Sequence, residues 1–209
     1  MNKLISDYNG KKRRIKKRLS EFRKIWKRPE KDIFTELCFC ICTPQSKAVY
    51  CDKAITELSR KGILFKGNIR QVRAGLKAVR FPNNKSRFII EARKTFTENG
   101  KIRIKKKIDT KNIIQTRHWL VKNVKGLALK EASHFLRNIG WGRGLAILDV
   151  HILKNMVKHR IIKSKPKTIS EKTYLTLEKK LKSFSEKNKI PMEELDLLFW
   201  SEETGVILK

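Results

Sequence analysis

The sequence predicts an all-α fold, on three observations. Apolar residues recur at three- and four-residue spacing through most of the chain, the signature of helices with one buried face. Proline, Asn-Gly and Gly-rich breaks separate these runs at intervals suited to helices of ten to twenty residues. The third is the stretch from Val124 to His151, VKGLALKEASHFLRNIGWGRGLAILDVH, which reads as a hairpin between two helices, an amphipathic helix, a Gly-rich loop, and an Asp opening a further helix.

Taken in order, Ile15, Leu19, Phe22 and Trp26 form one apolar stripe on an otherwise basic helix over residues 11–28, which Pro29 ends. Asp32 is placed to cap a helix running to Cys42, and Thr43-Pro44-Gln45-Ser46 interrupts before a second helix to about Lys61. Residues 68–79 form a weak helix, Arg80 to Lys85 a loop, and 85–98 a stronger helix stopped by Asn99-Gly100. The run KIRIKKKI, residues 101–108, alternates, and reads as an extended link facing a phosphate backbone or as a solvated loop. Asp109 or Thr110 then caps a helix with Ile113, Ile114, Trp119 and Leu120 that leads into the hairpin.

In the hairpin, Lys125-Gly126-Leu127-Ala128 turns the chain and leaves backbone N–H groups free at the start of the next helix, where phosphate is attracted by unpaired donors and the helix dipole. Leu129, Ala132, Ser133, Leu136 and Ile139 keep small or apolar residues at helical spacing, with Gly140 as the stop; Lys130 is the exception. Helices at about 150–159, 170–187 and 191–200 complete the set, with Pro191 in a first turn.

Composition bounds the partner. With 51 Lys+Arg against 20 Asp+Glu, the formal charge is +31, which points to nucleic acid ahead of ribosomal or membrane-surface roles. At 40% hydrophobic residues the chain can build a core, unlike a disordered basic tail. No run approaches the roughly 18 apolar residues of a membrane helix, and Leu4 and Ile5 are followed at once by polar residues, so no signal peptide is read. A cytoplasmic, nucleoid-associated protein with reduced cysteines is expected. Cys38, Cys40 and Cys42 fall about 200° apart on a helix and lack paired C-x-x-C spacing, so small buried side chains are preferred to a metal site. The four histidines show no metal spacing either.

The hairpin residues resemble the helix-hairpin-helix DNA glycosylases, in whose strand-cleaving members a Lys follows the first hairpin Gly by four residues and an Asp sits in a V-D-x-H-like segment. Here these are Gly126, Lys130 and Leu148-Asp149-Val150-His151. Ala128 stands where the family has its second hairpin Gly; a positive φ there would cost about 1 kcal/mol. All four Cys lie between 38 and 51, so the C-terminal four-Cys iron–sulfur motif of the endonuclease III branch is missing, and with Lys209 at the end the chain is most similar to the archaeal-type 8-oxoguanine DNA glycosylase/lyase family. The resemblance implies a two-lobed helical fold with the active site in the cleft between lobes: residues 1–34 with 150–209 in one, 35–149 in the other, the hairpin motif at about 113–140. It implies a monomer acting on double-stranded DNA containing 8-oxoguanine, with no metal or other cofactor.

The residue roles follow from the same resemblance. Lys130 would attack the sugar as a neutral amine and form a Schiff base; a free lysine is neutral only about once in two thousand molecules at pH 7, so partial burial among basic neighbours is expected. Asp149 would cap the helix after it and stabilise charge developing on the sugar. Gln45 would fill the gap left by the flipped base, or simply start a helix. Phe81 would wall the base pocket, or be a core aromatic. Lys125, Gly126, Ala128 and His151 would contact DNA, the histidine alternatively capping or packing in the core. Trp200 offers a face for a flipped purine, and Lys209, by side chain or carboxylate, would reach the purine edge, where 8-oxoguanine carries an N7 hydrogen that guanine lacks. Two rivals stay open: an endonuclease III-like enzyme for other oxidised bases, and a non-catalytic basic binding protein.

Overall fold

The structure, a computed structural model, describes residues 3–207 and is helical almost throughout. It divides into two compact units, residues 1–26 with 136–209, and residues 27–135.

Helix α1 (Lys3–Ile25) begins earlier than its apolar stripe suggests, because Leu4 and Tyr8 extend the buried face formed by Ile15, Leu19 and Phe22. In the second unit, α2 (Glu30–Cys42) starts two residues before Asp32: Pro29 takes the N-cap position, and Asp32 sits in the first turn, where its carboxylate suits the helix dipole. Nearly every later residue of α2 is buried, so it is the core helix of this unit. Around it stand α3 (Ala48–Arg60), a single turn α4 (Ile63–Lys66), α5 (Ile69–Gly75) and α6 (Pro82–Phe96). The weak helix expected at 68–79 is reduced to α5, opened by a capping box between Asn68 and Gln71. Phe34 packs on Phe65 and Phe96, with ring centroids 6.3 and 6.4 Å away.

The run 101–108 is neither a solvated loop nor a straight extended link. Lys101–Ile102 pairs antiparallel with Thr97–Glu98 across the Asn99-Gly100 turn, and a 3₁₀ turn follows at Ile104–Lys107. Ile102, Ile104 and Ile108 are buried, and Glu30 accepts the Lys105 N–H at 2.9 Å, so the alternation reports burial of the isoleucines. Helix α7 (Ile113–Asn123) is capped by Asn112, which accepts from the Gln115 N–H, rather than by Asp109 or Thr110. Helix α8 (Leu129–Asn138) begins in this unit, and its last residues belong to the other.

The first unit is completed by α9 (Val150–Lys158), α10 (Glu171–Asn188) and α11 (Met192–Thr204), with Pro191 at the N-cap of α11 rather than inside it. Helix α1 packs on α11, and the Tyr8 hydroxyl donates to Glu194 at 2.6 Å. Both unit borders fall earlier than the expected 34/35 and 149/150. Ile33 and Phe34 are anchored in the second unit's core, whereas residues 140–148 are held by α1 and α10.

A buried ion pair sits in the first unit: Arg137 Nη1 donates to Asp196 Oδ2 at 2.6 Å, while the guanidinium also bonds Asn138 and lies 5.0 Å over Phe22. Burial pushes the Asp196 carboxyl up to about 6 despite Arg137. Arg137→Met should leave an unpaired buried carboxylate and cost about 3–5 kcal/mol, lowering Tm by roughly 10 °C at pH 8. A carboxyl whose folded pKa exceeds its unfolded value binds protons more tightly in the fold, so falling pH through that interval favours the folded state. The loss should therefore shrink between pH 8 and pH 5 in paired thermal melts; a pH-independent loss would contradict this reading of the pair.

Candidate active site

The hairpin is built by the end of α7, residues 124–128 and the start of α8. Gly126 has φ +89, and a Cβ there would lie 2.7 Å from Phe88 Cδ2, so both the turn and the close approach require glycine. Ala128 is not among the residues with positive φ, so its lack of glycine is no strain: it stands at the N-cap of α8 in a conformation open to any residue. Its missing side-chain cap is replaced from the other direction, Glu131 Oε2 accepting the Ala128 N–H at 3.2 Å as the reciprocal half of a capping box. Lys125 is exposed and pairs with Glu91 at 3.3 Å.

Lys130 lies in the first turn of α8 with its side chain 25% exposed. Its nearest charge is not basic, as expected, but the Glu131 carboxylate, whose Oε1 is 2.9 Å from Nζ. Nζ is thus engaged by Glu131, and this contact has to open before the nitrogen can meet any other partner. Lys85 lies near enough for its charge and that of Lys130 to repel weakly. It is 4% exposed, and its ammonium donates to the carbonyls of Cys42 and Pro44 and to Ser46 Oγ at 2.7, 2.8 and 2.9 Å. Desolvation lowers its pKa, against the pull of Cys42 and Cys51 and with small repulsions from Arg80 and Lys130. All three of its hydrogens are thereby engaged.

Gln45 is exposed at φ +55 in the turn after α2, and α3 starts only at Ala48 with Lys47 as N-cap, so it is not a helix N-terminus. Phe81 is 47% exposed at φ +59 and precedes Pro82 at the start of α6, which sets the core-aromatic reading aside.

In the first unit, Gly140 at φ +89 ends α8 where a Cβ would come within 2.6 Å of Arg23 Cα. The chain then runs to Asp149 held by α10: Glu178 accepts the Ala146 N–H at 2.7 Å, and the Tyr174 hydroxyl donates to Ala146 O at 2.6 Å. Asp149 is the N-cap of α9; Oδ1 accepts the N–H groups of His151 and Ile152 at 2.9 and 2.8 Å, leaving Oδ2 out of the cap. His151 is half-buried, its ring 6.1 Å from Trp200 in an edge-to-face arrangement. Thus Asp149, His151 and Trp200 belong to the first unit, and Gln45, Phe81, the hairpin residues and Lys130 to the second. Lys209 lies outside the described residues.

Among the described residues, no group of three or more His, Cys, Asp or Glu is arranged to hold a metal ion. The four cysteines are buried and unbridged, and burial raises the thiols of Cys38, Cys42 and Cys51, which makes them poor nucleophiles. Sequence reasoning missed Glu131, Lys85, Tyr174 and Glu178. The first was signalled by an acid at the third position of a helix opened by a hairpin; the others carried no local signal.

A hairpin with its obligatory glycine, a lysine in the first turn beyond it, a Gly-rich loop and a capping aspartate define a helix-hairpin-helix protein of the DNA glycosylase class. The family model described as 8-oxoguanine DNA glycosylase matches residues 15–190. A relative from Fusobacterium nucleatum named 8-oxoguanine DNA glycosylase/AP lyase is 45% identical, covering 100% of this chain and 97% of its own; one of the same name from Korarchaeum cryptofilum is 39% identical, covering 93% and 90%. Among solved structures, the Methanocaldococcus jannaschii 8-oxoguanine glycosylase/lyase in complex with 15mer DNA containing 8-oxoguanine is 31% identical with TM-score 0.88, covering 100% of both chains. The Thermotoga maritima 8-oxoguanine DNA glycosylase is 33% identical with TM-score 0.85, covering 99% of this chain and 97% of that one. The chain belongs to the 8-oxoguanine DNA glycosylase family.

Proposed function

We propose that this chain is a base-excision repair glycosylase and abasic-site lyase that removes 8-oxoguanine from double-stranded DNA through a Schiff base on Lys130. The observation that carries the reading is the placement of Lys130: a part-exposed amine in the first turn beyond a glycine-dependent hairpin, in a chain matched along its length by relatives named for this activity. After the target nucleotide is turned out of the stack, deprotonated Lys130 attacks the anomeric carbon as the bond to the base breaks and the base leaves with a proton. The sugar ring then opens as the C1′–O4′ bond breaks and O4′ takes a proton, giving the imine, and loss of a C2′ proton from it expels the 3′ phosphate. Asp149, oriented through Oδ1, offers Oδ2 to the positive charge on the sugar.

The first turn of α8, beyond Ala128, offers the N-terminal N–H groups and dipole that suit a phosphate, and Lys125 adds charge in the hairpin before it. Trp200, whose ring stands 6.1 Å from that of His151, supplies a stacking face, and Lys209 reads the purine edge. In this reading the enzyme works as a monomer in the cytoplasm, and a net charge of +31 opposes self-association while favouring DNA. No helix of the described residues is long and apolar enough to cross a membrane.

Duplexes each carrying a single lesion test the substrate. Excision is expected from the 8-oxoguanine duplex, with oxidised pyrimidines cut at least about tenfold more slowly, as expected when a polar group of the site goes unpaired. Preference for an oxidised pyrimidine would overturn the assignment. Deleting Lys209 should weaken 8-oxoguanine excision while leaving cleavage at a preformed abasic site largely intact; equal loss of both would remove the tail from base recognition.

A further inference from the structure

The position of Lys85 is not accounted for by the lyase chemistry. A long, flexible, charged side chain is buried at the C-terminus of α2, where unpaired helix carbonyls carry partial negative charge. It donates to Cys42 O, Pro44 O and Ser46 Oγ, three acceptors that bracket the turn carrying Gln45. The backbone N–H of Lys85 donates to Phe81 O at 3.1 Å, closing the first turn of α6 behind Phe81. A second link runs between the same turns, the Arg80 N–H donating to Ser46 Oγ at 3.0 Å. Each turn holds a non-glycine residue in the left-handed region, Gln45 at φ +55 and Phe81 at φ +59, and both residues are exposed. Such conformations persist only where their surroundings over-determine them.

We infer that Lys85 is a positioning residue that locks the Gln45 and Phe81 turns at one spacing, so that both side chains enter the duplex together beside the extruded nucleotide. The inference rests on the glycosylase reading and adds a specific device to it. A duplex closes over an empty gap unless something fills it, and one loose prong would leave unstacking only partly offset. Two prongs fixed by one buried cation meet the DNA already in register, without ordering each turn at the moment of binding. Lys85 itself touches neither base nor sugar; it acts through the turns.

The test compares substrates that do and do not need a wedge. Full-length Lys85→Met and Ser46→Ala enzymes are assayed for excision from a duplex with one 8-oxoguanine, and for borohydride trapping on a single-stranded oligonucleotide with a preformed abasic site. Extrusion is followed by 2-aminopurine fluorescence beside the lesion. Lys85→Met is expected to slow duplex excision by roughly 10- to 100-fold, as for a misplaced positioning group, with a matching loss of the fluorescence rise and single-strand trapping within about twofold. Ser46→Ala should show the same split at smaller amplitude, and it decides the matter by the same criteria if Lys85→Met does not fold. Combined with Phe81→Ala or Gln45→Ala, Lys85→Met should cost less than the product of the separate losses. Equal loss on both substrates, unchanged duplex excision, or losses that multiply would overturn the locking role. Failure of the glycosylase reading shows separately, as wild-type enzyme that leaves 8-oxoguanine in place, and takes this inference with it.

Discussion

Lys130→Gln is expected to abolish the covalent adduct that borohydride traps between the enzyme and DNA, with strand cleavage falling by on the order of 10³-fold or more, the scale seen when an enzyme loses its nucleophile. Glutamine is polar and one atom shorter than lysine, and it has no amine to form an imine. The fold should barely notice. Lys130 is a quarter exposed and its partner Glu131 is only 8% exposed, but the glutamine amide can still donate to that carboxylate, so a charged hydrogen bond is exchanged for a neutral one at a cost of about 1 kcal/mol. Glu131 keeps its bond to the Ala128 N–H, so the helix remains capped. Circular dichroism should therefore match wild type and Tm fall by only about 2–4 °C while trapping is lost. A variant that still traps at the wild-type rate would move the nucleophile elsewhere.

Asp149→Asn should retain the fold and lose excision by about 10²-fold or more. The case for this substitution is that asparagine caps helices as well as aspartate does, so the bonds from His151 and Ile152 to one side-chain oxygen survive. What goes is the negative charge, which here also stands close enough to Asp196 to help hold that buried carboxyl at about 6. Asp149→Ala removes cap and charge together and should cost about 1 kcal/mol of stability as well. If the carboxylate acted only as a cap, Asn would excise like wild type and Ala would be defective in proportion to its lost stability. Measuring Tm and single-turnover excision for both variants separates these cases.

How much of this was legible in the sequence depended on whether the cause was local. The helix periods, the Asn99-Gly100 turn and the glycine at 126 were legible because each follows from a few adjacent residues. The start of α2 was misread at Asp32 because proline and aspartate both suit a helix opening, and only the packing of Ile33 and Phe34 into the second unit's core decides between them. The alternation of KIRIKKKI was visible, but not that Ile102, Ile104 and Ile108 would be buried, which depends on residues far away in the chain. At the site, Lys130 and Asp149 were singled out through the resemblance to the helix-hairpin-helix glycosylases, and spacing alone would not have separated them from an ordinary surface lysine and a helix cap. Lys85 could not be distinguished from the other basic residues, since its three acceptors lie about forty positions earlier. Nor could Tyr174 and Glu178, which hold the segment leading to Asp149 from α10.

The most direct test of the lysine mechanism is to locate the bond itself. Wild-type enzyme is incubated with an 8-oxoguanine duplex under borohydride, the adduct is digested with protease and nuclease, and the peptide bearing the reduced sugar remnant is sequenced by mass spectrometry. The remnant should sit on Lys130 alone; finding it on another amine, or finding base released with no adduct at all, would contradict the account.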